Sequence, residues 1–252
     1  MRSRYASIGC AAFLCVLAQV AGAQAPSSGA PTQTGKEQAS GSRAGRDLEK
    51  SDGKIDDPTI IRYLQRLENK LAHPMGAPPA EVRLTRSSLL YVSLPDNSVL
   101  YISGGLLQRI ENEAELAGLL AHELAHTKAA REVTPKGEMI EVVRTGCVLQ
   151  ANPATPDTEE ARWRLREGEL SATAAAVACL RAAGYDPAAV LDLFSKLAYE
   201  HPAWAKAIVP DDLLALRTKT EAEAVPPGGF RVDSSDFVEV HALLETVLSR
   251  SR

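Results

Sequence analysis

The stretch Glu113-Ala114-Glu115-Leu116-Ala117-Gly118-Leu119-Leu120-Ala121-His122-Glu123-Leu124-Ala125-His126 decides how the rest of the chain is read. Leu116, Leu119, Leu120 and Leu124 recur at helical spacing, and no proline interrupts them. Two histidines four apart on a helix project from one face, close enough for both imidazoles to reach one ion. Zinc accepts imidazole nitrogen at about 2.0 to 2.1 Å, and a catalytic site keeps three protein ligands and a water. Glu123 stands beside His122, so its carboxylate can take a proton from that water without itself being a ligand, and pass it to a leaving amine. The bland alternative is an amphipathic helix whose His and Glu side chains face solvent. An HExxH string is short and recurs by chance, but an Ala- and Leu-rich helical setting directly after a small sheet favours a metal helix.

Upstream, Pro58 to Ala72 carries Ile60, Ile61, Leu64, Leu67 and Leu71 at helical spacing, with Asp56 and Asp57 available as caps. Three β-like runs follow: Val82-Arg83-Leu84, Leu89 to Leu94 and Val99 to Ile102. The turn Pro95-Asp96-Asn97 separates the last two, so the pattern predicts a small antiparallel sheet with a hairpin. After Ser103-Gly104-Gly105 the period becomes that of a helix. Downstream, Thr158 to Ala183 predicts a long Ala-rich helix. Gly184 suits the position just past its end, and Asp186 and Pro187 suit the start of the next helix, with Val190, Leu191, Phe194 and Leu197 on its apolar face. A last helix is capped by Ser235 or Asp236. The fold class is therefore α+β, mostly helical, with the sheet beside the HExxH helix.

A third ligand must come from another element. The acidic candidates are Glu132, Glu138, Glu141, Asp157, Glu159, Glu160, Glu167 and Glu169, of which Glu167 and Glu169 lie on the long helix, where a ligand is held rigidly. His73, His201 and His241 have no partner at ligand spacing and read as capping or surface residues.

The rest of the chain sets the context. Arg2 and Arg4, the apolar run Ile8 to Val20 and Ala21-Gly22-Ala23 have the layout of a cleaved secretory signal over residues 1–23. The run is shorter than the roughly 20 residues a membrane span needs, and too few apolar residues precede Gly9-Cys10 for a lipoprotein signal. Residues 24–54 are rich in Gly, Ser, Pro, Thr and Gln and predict a disordered linker, leaving residues 55–252 as one domain. Of the four cysteines, Cys10 and Cys15 lie in the signal. Cys147 and Cys179 remain in a compartment that permits a bridge between them, the alternative being two separate thiols. With 28 basic and 32 acidic residues, a net of -4, nothing advertises a nucleic-acid partner.

Residues 58 to 202 resemble the HtpX-like and BepA-like zinc metallopeptidases, HExxH minigluzincins related to the CAAX prenyl proteases and to the mitochondrial inner-membrane stress protease. The resemblance rests on Leu94-Pro95, Tyr101-Ile102-Ser103-Gly104-Gly105-Leu106-Leu107, the run from Glu113 into His122-Glu123-Leu124-Ala125-His126, then Glu169 and Ala183-Gly184-Tyr185-Asp186-Pro187. It implies one Zn2+ per chain, held by His122, His126 and Glu169, with Glu123 catalytic. The family's supporting Asp falls on Thr173, whose neutral hydroxyl should orient and polarise an imidazole less strongly than a carboxylate. The family's Leu-Pro-Gly-Gly hairpin reads Leu94-Pro95-Asp96-Asn97 here. The resemblance further implies a periplasmic endopeptidase that cleaves unfolded or misassembled envelope proteins, in association with the envelope membrane or its assembly machinery. The alternative is a weak or inactive relative that binds such chains in a chaperone-like way. A polypeptide substrate is expected to pair along Val99, Leu100, Tyr101, Ile102 and Ser103 as an added strand.

Overall fold

Asp57 starts the first long helix because its carboxylate accepts the backbone N–H groups of Thr59 (2.9 Å) and Ile60 (3.2 Å), which have no partner within the helix. This helix, α2 (Pro58–Met75), ends at Gly76, where φ is 67°. Its buried face is Ile60, Tyr63, Leu64, Leu67, Leu71 and Met75. The computed structural model describes residues 46–94, 98–129, 158–200 and 208–249. The predicted signal, the hairpin tip Pro95-Asp96-Asn97, the candidates Glu132, Glu138, Glu141 and Asp157, and also Cys147 and His201, lie outside those residues.

The four strands are β1 (Lys54–Ile55), β2 (Glu81–Thr85), β3 (Val92–Ser93) and β4 (Val99–Ser103), in the order β1-β2-β4-β3. The hairpin is present: Val92 stands opposite Ile102 and Ser93 opposite Tyr101 in antiparallel register. The sheet is mixed, however, and not antiparallel throughout. β4 returns into the gap between β2 and β3 and runs parallel to β2 from Glu81↔Val99 to Thr85↔Ser103. This also corrects the reading of Val99–Ser103 as an exposed edge. β4 has a strand on each side, and Leu100 to Ser103 are buried, so its backbone is already engaged.

Described secondary structure extends N-terminal to residue 55. Residues 46–52 form a short helix, α1, and β1 pairs with β2. Glu49 of α1 meets Arg83 at 2.6 Å and Asp52 accepts the Tyr91 hydroxyl at 2.7 Å, so this polar segment is fastened by charge and hydrogen bonds, with Leu48 packed against the core.

Ser103 ends β4 and starts α3 (Gly104–Arg109). Its buried hydroxyl oxygen accepts from Leu106 N–H (3.1 Å) and Tyr91 N–H (3.0 Å). α4 (Glu113–Ala129) then crosses the centre of the domain, packed by α2, α5 (Glu159–Ala183) and α6 (Ala189–Glu200). From Glu113 to Ala125 it is buried on all sides, which suits its leucine- and alanine-rich sequence. Its start is tied down by the C-terminal part of the chain. Glu113 accepts hydrogen bonds from Tyr185 and Ser234, and Ala114 N–H reaches Val232 O at 2.9 Å. Gly184 has φ of 79° and closes α5 as its position predicts. α7 (Pro210–Glu221) and α8 (Ser235–Ser249) complete the unit, α8 lying on α2 and α3. Among the described residues no helix is long and apolar enough to cross a membrane.

Candidate metal centre

His122 and His126 leave the same face of α4 one turn apart, their rings edge to face at 4.8 Å between centroids. Glu169 reaches them from α5. Its Oε2 lies 3.0 Å from His122 Nε2 and 3.6 Å from His126 Nε2, and the two Nε2 atoms are 3.1 Å apart. Around a tetrahedral ion with bonds of about 2.0 to 2.1 Å, ligand atoms stand ~3.3 Å from one another. The three observed separations bracket that spacing, so the trio fits a zinc-sized ion with no rearrangement of the helices. His122, His126 and Glu169 are the His/Cys/Asp/Glu group among the described residues with ligand atoms gathered in this way. His73 and His241 stand apart from it, and Glu159, Glu160 and Glu167 point outward as exposed side chains.

Thr173 sits one turn beyond Glu169 and settles the state of His122. Its hydroxyl donates to Glu169 O at 2.8 Å, and its oxygen lies 3.3 Å from His122 Nδ1. A carbonyl can only accept, so the single hydroxyl proton is committed there and Thr173 Oγ1 accepts from Nδ1–H. The Nε2 lone pair is thereby left facing His126 and Glu169. The contact predicted for a carboxylate at this place is made by a neutral group.

The electrostatics favour a cation between the three groups. Burial pulls the His122 pKa down against the pull of the neighbouring Glu169, favouring the neutral imidazole. Burial pushes Glu169 the other way, but the two imidazoles beside it outweigh burial and hold the carboxyl well below the usual range. His126 loses stability as a cation through burial, yet the nearby carboxylates of Glu169 and Glu123 raise its pKa overall. Its side chain is 21% exposed against 0% for His122, so the centre meets solvent on the His126 side. Glu123 is fully buried next to His122 and lies outside the trio. Its position about 100° further round α4 lets it act beside the ion rather than on it.

Residues 61–162 match the model described as peptidase family M48. The matched stretch contains His122, Glu123 and His126 and supports a metallopeptidase of that family. It stops before Glu169, whose place in the centre rests on the geometry above. No curated protein matches the chain.

Val99, Leu100, Tyr101, Ile102 and Ser103 form the internal strand β4. Cys179 is buried, its thiol donating to Leu71 O at 3.5 Å. One neighbour of the centre was legible only as a core residue. Phe194 of α6 lies edge to face on His122, with centroids 4.9 Å apart and an interplanar angle of 85°. An apolar position on an amphipathic helix carries no mark of which side chain it will touch.

Proposed function

We propose that the chain is a zinc-dependent endopeptidase carrying one zinc per chain, and the observation that carries this reading is the meeting of His122 Nε2, His126 Nε2 and Glu169 Oε2 at tetrahedral-edge distances. Zinc, when bound, supplies Lewis acidity that polarises a peptide carbonyl and lowers the pKa of water. His122, His126 and Glu169 hold it. Thr173 keeps His122 in the tautomer that points a lone pair inward. Glu123, buried and adjacent, takes the proton from the attacking water and delivers it to the departing amine.

An extended polypeptide is the substrate this arrangement suits. Because β4 has both edges paired, strand addition falls to β3 (Val92–Ser93), the outer strand of the hairpin. Location in the cell envelope rests on the predicted signal over residues 1–23. Unfolded or misassembled envelope proteins as substrates, and association with the envelope membrane or its assembly machinery, rest on the family resemblance. Thr173 in place of a carboxylate supports a second, non-catalytic reading, in which the cleft holds unfolded chains without cutting them.

The test is cleavage of a reduced, unfolded protein by the zinc-loaded chain and by Glu123→Gln. Cleavage by the first and not by the second is the expected result. Equal cleavage by both removes Glu123 from the chemistry, and zinc binding with no cleavage by either selects the holding role.

A further inference from the structure

Gly118 and His122 lie four residues apart on one face of α4, and Val190 and Phe194 lie four apart on one face of α6. The two pairs face each other in register. A Cβ built on Gly118 would stand 2.6 Å from Val190 Cβ and 3.1 Å from Val190 Cα, so the missing side chain allows the two helices to approach closely at that point. One turn further along both helices, the same approach brings the fully buried Phe194 ring edge to face onto His122. This geometry is attractive between π-systems. On its Nδ1 side the His122 ring meets the Thr173 hydroxyl at 3.3 Å, a neutral contact. Ring orientation therefore depends more on packing than it would beside a carboxylate.

We propose that Gly118 and Phe194 are positioning residues of the metal centre: the absent side chain at Gly118 sets the spacing of α6 from α4, and Phe194 uses that spacing to hold the His122 imidazole with Nε2 toward Glu169 and His126. α6 contributes no ligand and acts through His122 alone. The inference rests on the metal reading of the site.

The experiment compares the full chain with Gly118→Ala, Gly118→Ala/Val190→Gly and Phe194→Leu. Zinc dissociation constants are read by competition with a chromogenic chelator, and cobalt absorption spectra are recorded on the same proteins, each folded by circular dichroism at the assay temperature. Gly118→Ala and Phe194→Leu are expected to weaken zinc binding by about 10 to 100-fold, the usual cost of losing an outer contact to a ligand, and to alter the cobalt spectrum. The double variant, which moves the gap from one helix to the other, is expected to recover most of the loss. A merely structural role would lower the melting temperature of the single variants and leave the dissociation constant and spectrum as in the parent, which overturns the proposal. Should Gly118→Ala fail to fold, Phe194→Leu with parental zinc affinity and cobalt spectrum overturns it alone. A parent chain that binds no zinc instead defeats the metal reading beneath it.

Discussion

Glu169 Oε2 lies 3.0 Å from His122 Nε2, although the two residues are 47 positions apart and on different helices. With Nδ1–H given to Thr173, these facing atoms are both lone-pair donors. Left alone they repel, or take up a proton; a divalent ion between them and His126 Nε2 satisfies all three at once.

Zinc should therefore stabilise the fold. At a free zinc concentration 100 times the dissociation constant the gain is about 2.7 kcal/mol, which for a domain of this size raises the melting temperature by roughly 5 to 10 °C. Differential scanning fluorimetry with zinc and then with excess chelator checks this. The expected shift is upward with zinc and reversed by the chelator; curves that coincide would show that the folded chain holds no ion.

Ser103 is expected to matter more than its size suggests. Its oxygen serves both Tyr91 N–H and Leu106 N–H in a buried position, joining the hairpin to the start of α3. Ser103→Ala removes a helix cap and strands two donors, at a cost of about 2 to 3 kcal/mol. Urea denaturation monitored by circular dichroism should show a lower midpoint with an unchanged slope. A midpoint equal to the parent's would mean that water replaces the hydroxyl.

Burial pushes the Cys179 thiol up to about 11, against an ordinary value of 9.0. At pH 8 the folded chain then holds about 100-fold less thiolate at this position than an ordinary thiol would. With the other cysteines changed to serine, alkylation of Cys179 should be at least that much slower in the folded than in the urea-unfolded protein, and should quicken as pH rises toward 11. Mass spectrometry of timed iodoacetamide reactions gives both rates. Equal rates would place the sulfur at the surface.

These outcomes also show what could be read from the amino-acid order. The metal helix was legible because the four-residue spacing of His122 and His126 and the leucine period are properties of one helix. Glu169 was legible as a rigidly mounted acid, but sequence alone offered Glu167 beside it; only the packing of α5 on α4 turns one inward and the other to solvent. Insertion of β4 between β2 and β3 was not legible, because turn residues mark where a chain reverses and say nothing of which strand it returns beside. Nor was the helix at residues 46–52. Residues 46–52 have a linker's composition, and their partners Arg83 and Tyr91 lie more than thirty positions away. Phe194 announced its burial but not its neighbour.

Whether three side chains from two helices grip one ion is read from the zinc content, by mass spectrometry, of the parent chain and of Glu169→Gln, each purified, loaded with zinc and desalted. The amide keeps the shape of the carboxylate and removes its charge. Close to one zinc per chain is expected in the parent, and a loss of affinity of more than about 100-fold in the variant, beyond what an outer contact costs, so that little zinc survives desalting. No zinc in the parent, or equal zinc in both, would contradict that grip.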